Sequence, residues 1–198
     1  MPPVEDIQLY LTGAWRMMTG KADGLRRLDL SSDGFWNSFF AIAVAAPVML
    51  VGWIAMAGDL LGGDPGFGMR LSMIVRLAVV DLGTWVLPYA ALAAIAPRAG
   101  VGDRFVHYVV ATNWGSALLI WFMLPAFLIR LFAPDADDLA TAVALGIFAF
   151  SLVLSWRLTN AALGKGPAVA TGVFIGMLVA SLLTQFALQD LLRIDFMR

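Results

Sequence analysis

The residues with the most potential for chemistry lie inside long apolar stretches of the sequence. Arg76 and Asp81 interrupt one such stretch, and Asn113 interrupts the next. Ionisable and amide side chains are costly to bury among apolar residues, so they are usually retained for a purpose. Arg76 and Asp81 are separated by about 140° on a helix, so we expect no direct bond between them. Arg76, Asp81 and Asn113 are therefore our candidate intramembrane polar site.

Three roles stay open for Asp81. The carboxyl group could pair with a basic or amide group on another helix, take up a proton, or line a polar cavity. Arg76 lies near the end of its stretch, where a long side chain can extend outward to the headgroups. Asn113 lies deeper and could hydrogen-bond to another helix, a bond worth roughly 0.6–2 kcal/mol.

Other kinds of site are excluded by residue types and spacing. The chain has one histidine, His107, and no cysteine, which removes multi-histidine and thiolate metal sites within the chain. Ser116 could act as a nucleophile only with His107 as its base, but nine residues of helix hold the two about 13 Å apart. The sequence predicts no catalytic residue, no metal site, no cofactor and no enzymatic activity.

The elements that position these residues are five apolar stretches, each long enough to cross a bilayer about 30 Å thick. They cover residues 35–57, 74–96, 106–128, 139–160 and 167–188. Because 61% of the chain is apolar and only 14% is charged, most of its surface must face lipid. We predict an all-α polytopic integral membrane protein: a cytoplasmic segment (1–34), a bundle of five transmembrane helices (35–188) and a short extracytoplasmic tail (189–198).

The segment before the first stretch has the pattern of an amphipathic helix. Ile7, Leu11, Trp15 and Met18 recur at helical spacing, with polar residues on the remaining arc. Such a helix could lie in the headgroup layer, or its apolar stripe could pack against the bundle or a partner.

The fifth stretch carries a ridge of small side chains. They recur every fourth residue, at Ala168, Gly172, Gly176, Ala180 and Thr184. Small residues at this spacing let two helices approach closely in lipid. The neighbour could belong to the same chain, which we take as the default, or to another copy.

Basic residues predict the orientation, because Lys and Arg beside the spans are retained in the cytoplasm. One side has eight of them: Arg16, Lys21, Arg26, Arg27, Arg98, Arg104, Arg157 and Lys165. The other side has four: Arg70, Arg130, Arg193 and Arg198. We predict a bacterial inner-membrane protein with its N-terminus in the cytoplasm and its C-terminus on the extracytoplasmic side.

The arrangement of an amphipathic leader, five closely spaced helices and a short trailing end resembles the YIP (Ypt-interacting protein) family and its bacterial relatives. The segment Val101-Gly102-Asp103-Arg104-Phe105-Val106-His107-Tyr108 is similar to the one that leads into the third helix of those proteins, and Pro125 lies near that helix's far end. The resemblance implies a role in organising membranes, which in eukaryotic members includes recruiting small GTPases. It implies no catalytic residues.

Two functions follow as expectations. The first is a non-enzymatic inner-membrane protein of YIP-like design that binds membrane lipids, other membrane proteins or a second copy of itself. The alternative is a small transporter or channel component with a polar path through Asp81. We expect no nucleic-acid partner, because the net charge is −1 and the basic residues are dispersed.

Overall fold

Helices make up almost all of the chain. The computed structural model describes residues 2–194, and within them there are helices and turns but no β-strand. The α-helices of this range are α1 (Val4–Met18), α2 (Ser32–Ser38), α3 (Ala41–Leu61), α4 (Phe67–Ile95), α5 (Phe105–Phe132), α6 (Asp137–Leu163) and α7 (Pro167–Leu191). The end of the predicted tail, residues 195–198 with Arg198, lies outside the described range. The fold class is all-α.

Five helices are long and apolar enough to cross a membrane, which confirms the predicted number. They are Ser32–Leu61, Phe67–Ile95, Gly102–Phe132, Asp137–Leu163 and Pro167–Leu191. The predicted boundaries were too narrow, since α4 already begins at Phe67 and includes Arg70. An apolar stretch marks the part of a helix that suits lipid, whereas backbone hydrogen bonding continues into the polar ends.

The first of these helices starts at a capped end and is interrupted early. The Ser31 side chain accepts a hydrogen bond from the backbone N–H of Gly34 at 3.1 Å, so Ser31 is the N-cap of this helix. The α-helical hydrogen bonding breaks at Phe39 and Phe40, which separates the short α2 from α3. The predicted single stretch is thus two helices in succession.

Helix α1 packs against α5 and α6. Ala14, Met17 and Met18 are fully buried and share a core with residues of α3, α5 and α6. Of the residues expected at the membrane surface, Met18 therefore lies inside the bundle, while Ile7 and Leu11 are half-buried against the same core. Trp15 is 39% exposed. The stripe thus packs on the bundle, the second of the two arrangements considered above.

The turn after α1 is held by an ion pair. The Arg16 guanidinium donates two hydrogen bonds to the Asp23 carboxylate, with Nε–Oδ1 at 3.0 Å and Nη2–Oδ2 at 2.5 Å, and this lowers the pKa of Asp23. Because the pKa of Asp23 is lower in the folded state than in the unfolded state, the pair stabilises the fold fully when the pH is above the unfolded pKa. This stabilisation is lost as the pH falls through the folded pKa.

We expect Asp23→Asn to lower the thermal midpoint slightly at about pH 6 and not at about pH 2. An equal loss at both pH values would contradict this pairing.

The long helices form two groups that meet at both ends of the bundle. Helices α3, α5 and α6 pack together, and α4 packs on α7. At the end where α4 ends and α5 begins, which is the inner end in the predicted orientation, the joining apolar cluster consists of Tyr89, Leu92, Ala96, Val101, Tyr108, Val109, Leu163 and Ala170. At the opposite end, where α3 ends and α4 begins and which is the outer end in that orientation, it consists of Ala57, Leu77, Val80 and Ile194. Between these two clusters a space remains along part of the boundary between the groups.

Ion pairs reinforce each end of the bundle. At the inner end the Lys165 ammonium lies 2.6 Å from the Asp103 carboxylate. At the outer end the Arg130 guanidinium lies 3.4 Å from Asp59 and 3.5 Å from Asp137. These partly exposed pairs each contribute little stability, but they place charged side chains at both ends of the bundle.

Candidate functional site

A cavity of about 1110 Å³ lies between the two groups of helices. Its wall is formed by residues of α3, α4, α5, α6 and α7, so all five long helices contribute. Sites for small organic molecules typically measure about 300–1,000 Å³ and combine apolar walls with a few polar groups. The cavity is slightly larger than this range and has a largely apolar wall with some polar groups, so it has room for a small organic molecule.

Asp81 lies on the cavity wall and is held by an indole. Its Oδ2 accepts a hydrogen bond from Trp53 Nε1 at 2.6 Å, which links α4 to α3. Asp190 is the second carboxylate on the wall. Within residues 2–194, no Lys, Arg or His side chain lines the cavity. Asp81 is thus bonded to a neutral donor and faces a cavity without a cationic wall residue.

Polar side chains continue along the wall on three helices. Each set recurs every fourth residue and so occupies one helix face: Thr112 and Ser116 on α5, Ser151, Ser155 and Thr159 on α6, and Ser181, Gln185 and Gln189 on α7. Sequence reasoning missed this surface because it considered these residues singly. The signal was present in the spacing, since three polar stripes within apolar helices indicate three faces turned toward a shared polar space.

Pro88 leaves polar atoms near Asp81 without their usual partners. A proline has no N–H, so Pro88 cannot donate to the carbonyl of Thr84 one turn before it. The Thr84 hydroxyl is buried and has no hydrogen-bond partner among the described residues. Thr84 and Pro88 both line the cavity, one and two turns after Asp81. Near Asp81, α4 therefore offers two further oxygen atoms, the hydroxyl and the backbone carbonyl of Thr84.

The structure places the three residues of the predicted polar site in different surroundings. Only Asp81 lines the cavity. Arg76 donates from Nη1 to the carbonyl of Leu192 at 3.3 Å, and no ion pair within 4.0 Å joins it to Asp81. Helix periodicity turns their side chains apart, as expected.

Asn113 has a structural position. It is fully buried, donates from Nδ2 to Ser38 Oγ at 2.8 Å and accepts from Trp85 Nε1 at 2.8 Å. Its amide thereby connects α5 to α2 and to α4. The expected bond between helices is present, but it joins packed surfaces, away from the cavity wall.

The small-residue ridge of α7 is open. No heavy atom lies within 4 Å of the position that a Cβ would take at Gly172 or Gly176. Both glycines, with Ala180, line a shallow groove of about 310 Å³ between α4 and α7. The default expectation of close packing within the chain is therefore not met at these glycines. The reason is that α7 turns its cavity face, not this ridge, toward the other helices.

Comparison with known proteins adds no relative. The chain has no significant match among protein-family models, curated proteins or solved structures. The resemblance to the YIP family stays a prediction from the sequence.

Proposed function

We propose that the chain is a non-enzymatic, five-span inner-membrane protein that binds a small molecule in the central cavity and acts as a small transporter or channel component. The observation that carries this proposal is the position of Asp81 on the wall of a cavity of about 1110 Å³ to which all five long helices contribute. In a membrane protein, an ionisable group turned to a cavity marks a substrate or ion path by default. The bias of basic residues supports a cytoplasmic N-terminus.

The arrangement of the helices supports movement around this cavity. The α4/α7 pair meets the other group through separate apolar clusters at the inner and outer ends, and between them through two hydrogen bonds from indoles, Trp53 to Asp81 and Trp85 to Asn113. Loosening one cluster while the other stays closed would open the cavity to one side of the membrane at a time, which is how alternating access works. Pro47, Pro88 and Pro125 lie inside α3, α4 and α5, where they weaken backbone hydrogen bonding and allow bending.

A second candidate function is the YIP-like one, in which the protein organises membranes by binding lipids, other membrane proteins or another copy of itself. The open ridge at Gly172 and Gly176 favours it, because helices in lipid associate through such surfaces. This function does not use the cavity. The transporter candidate depends on the cavity, whereas the membrane-organising candidate depends on the ridge.

Cysteine labelling tests the transporter proposal, since the chain has no native cysteine. We expect Ser155→Cys, on the cavity wall, to react with a charged, membrane-impermeant thiosulfonate in both right-side-out and inverted vesicles. The reason is that thiols react as thiolates, which need water. Leu145→Cys is the matched control on the same helix, because Leu145 is 62% exposed outside the cavity and should face lipid. It should react at least about tenfold more slowly.

The direction of labelling separates the functions. Reaction from both sides supports a transport path. Reaction from neither side would overturn the transporter proposal and leave the membrane-organising candidate.

A further inference from the structure

We propose that the ligand of the cavity is a lipophilic organic cation and that Asp81 is its counter-ion. This inference rests on the proposed cavity function and adds the chemical class of the ligand. The first argument is charge. The described wall contains two carboxylates, Asp81 and Asp190, and no basic side chain. A carboxylate in surroundings of low dielectric constant is stabilised by a bound positive charge and repels a negative one.

The composition of the wall favours an organic cation over a metal ion. Aromatic faces attract cations, and methionine side chains adapt to ligands of varied shape. The wall supplies both: Trp53, Trp85, Tyr89, Tyr108, Phe127, Phe148, Phe174 and Phe186, with Met49, Met56, Met123 and Met177. A small metal cation instead needs a compact shell of several oxygen ligands, and no cluster of three or more His, Cys, Asp or Glu occurs among the described residues.

The position of the donor to Asp81 supports the same class of ligand. Trp53 Nε1 bonds one oxygen of the carboxylate and brings the indole beside it. A cation next to Asp81 would therefore lie close to both a carboxylate and an aromatic side chain, and aromatic faces attract substituted ammonium groups. One turn away, Thr84 adds two oxygen atoms: its hydroxyl and its backbone carbonyl, to which Pro88 cannot donate a hydrogen bond.

The cavity reaches the surface of the bundle between α6 and α7. Phe148 on α6 and Phe186 on α7 line it and are 53% and 63% exposed. This surface is apolar, so a lipophilic ligand dissolved in the membrane can enter here directly from the lipid, whereas a hydrated ion could reach the cavity only from water. The entry route from lipid and the largely apolar wall suit a lipophilic ligand, and the carboxylate suits a cation.

The test uses the full-length protein in lipid nanodiscs and tetraphenylphosphonium as the probe. We expect saturable binding whose affinity falls by a factor on the order of 10–100 in Asp81→Asn, because the charge is removed. The asparagine can still accept the Trp53 hydrogen bond through its carbonyl oxygen, which keeps the α3–α4 link. Asp64→Asn is the matched control, since Asp64 is exposed in the α3–α4 connector and lies off the cavity wall; it should leave affinity unchanged. Asp81→Glu keeps the charge and should retain binding.

Two further measurements distinguish a failure of the cation proposal from a failure of the proposed cavity function. The anion tetraphenylborate has nearly the same shape and should not bind saturably. A neutral dye, N-phenyl-1-naphthylamine, reports the cavity without charge, and the cavity-filling variant Ser155→Trp should reduce its binding. If dye binding depends on Ser155 but phosphonium binding is the same in wild type and Asp81→Asn, the cation proposal is overturned while the cavity function stands. If Ser155→Trp alters neither probe, both proposals fall.

Discussion

Replacing Trp114 with alanine is expected to lower the free energy of unfolding by about 3–5 kcal/mol, the loss typical of a fully buried aromatic residue. Trp114 is 1% exposed, and its ring centroid lies 5.2 Å from that of Tyr10 on α1. It belongs to the core cluster that joins α1, α3, α5 and α6. In a membrane the loss arises from packing, because lipid gives apolar helices little reason to associate.

The matched control for this variant is Trp36→Ala. Trp36 is 71% exposed, so the same truncation should cost less than about 1 kcal/mol. Unfolding in mixed micelles with an increasing fraction of denaturing detergent measures both variants. Similar losses in the two would show that Trp114 is not packed as described, and that α1 does not share the core of the bundle.

Replacing Gly115 with leucine should destabilise the fold by about 1–3 kcal/mol through overpacking. A Cβ at Gly115 would lie 2.5 Å from Leu158 Cδ2 and 2.9 Å from Met18 Cε. The flexible ends of these side chains can accommodate a methyl group, but a whole leucine must push α1 and α6 away from α5. Melting of the purified protein and its protease resistance measure the effect.

The same substitution at two other glycines supplies the controls. Gly146 and Gly176 lie mid-helix with no heavy atom within 4 Å of a Cβ, so leucine there removes a helix-weakening glycine and should leave the stability unchanged or slightly higher. Only Gly176 is on the ridge. If the membrane-organising candidate is correct, Gly176→Leu should remove partners that copurify in mild detergent, whereas Gly146→Leu should keep them. Unchanged partners in both would count against that candidate.

The cavity and the ridge occupy different arcs of α7, so the two functions can be tested separately. Ser181 and Gln185 line the cavity, whereas Gly172 and Gly176 line the groove on the other side. Pro88 and Met177 line both surfaces, but none of the proposed substitutions is at either residue. Loss of phosphonium binding and loss of copurifying partners are therefore independent results.

Sequence reasoning predicted the features that depend on local patterns. Apolar stretches of spanning length predicted five long helices. Helix periodicity also placed Arg76 and Asp81 on different sides of one helix. These predictions succeed because helix periodicity and hydropathy act over a few turns of a single segment.

The sequence by itself determined that the chain is helical, that five helices are long and apolar enough to span a membrane, and where its unusual polar residues lie along them. Only the tertiary structure decided their partners: Asp81 with Trp53, Asn113 with Ser38 and Trp85, and Met18 within the bundle. It also decided that the polar stripes of three helices surround one cavity and that the α7 ridge stays open. The physical reason is that a helix has several apolar faces of similar hydropathy, so which face meets which neighbour depends on side-chain packing between distant segments.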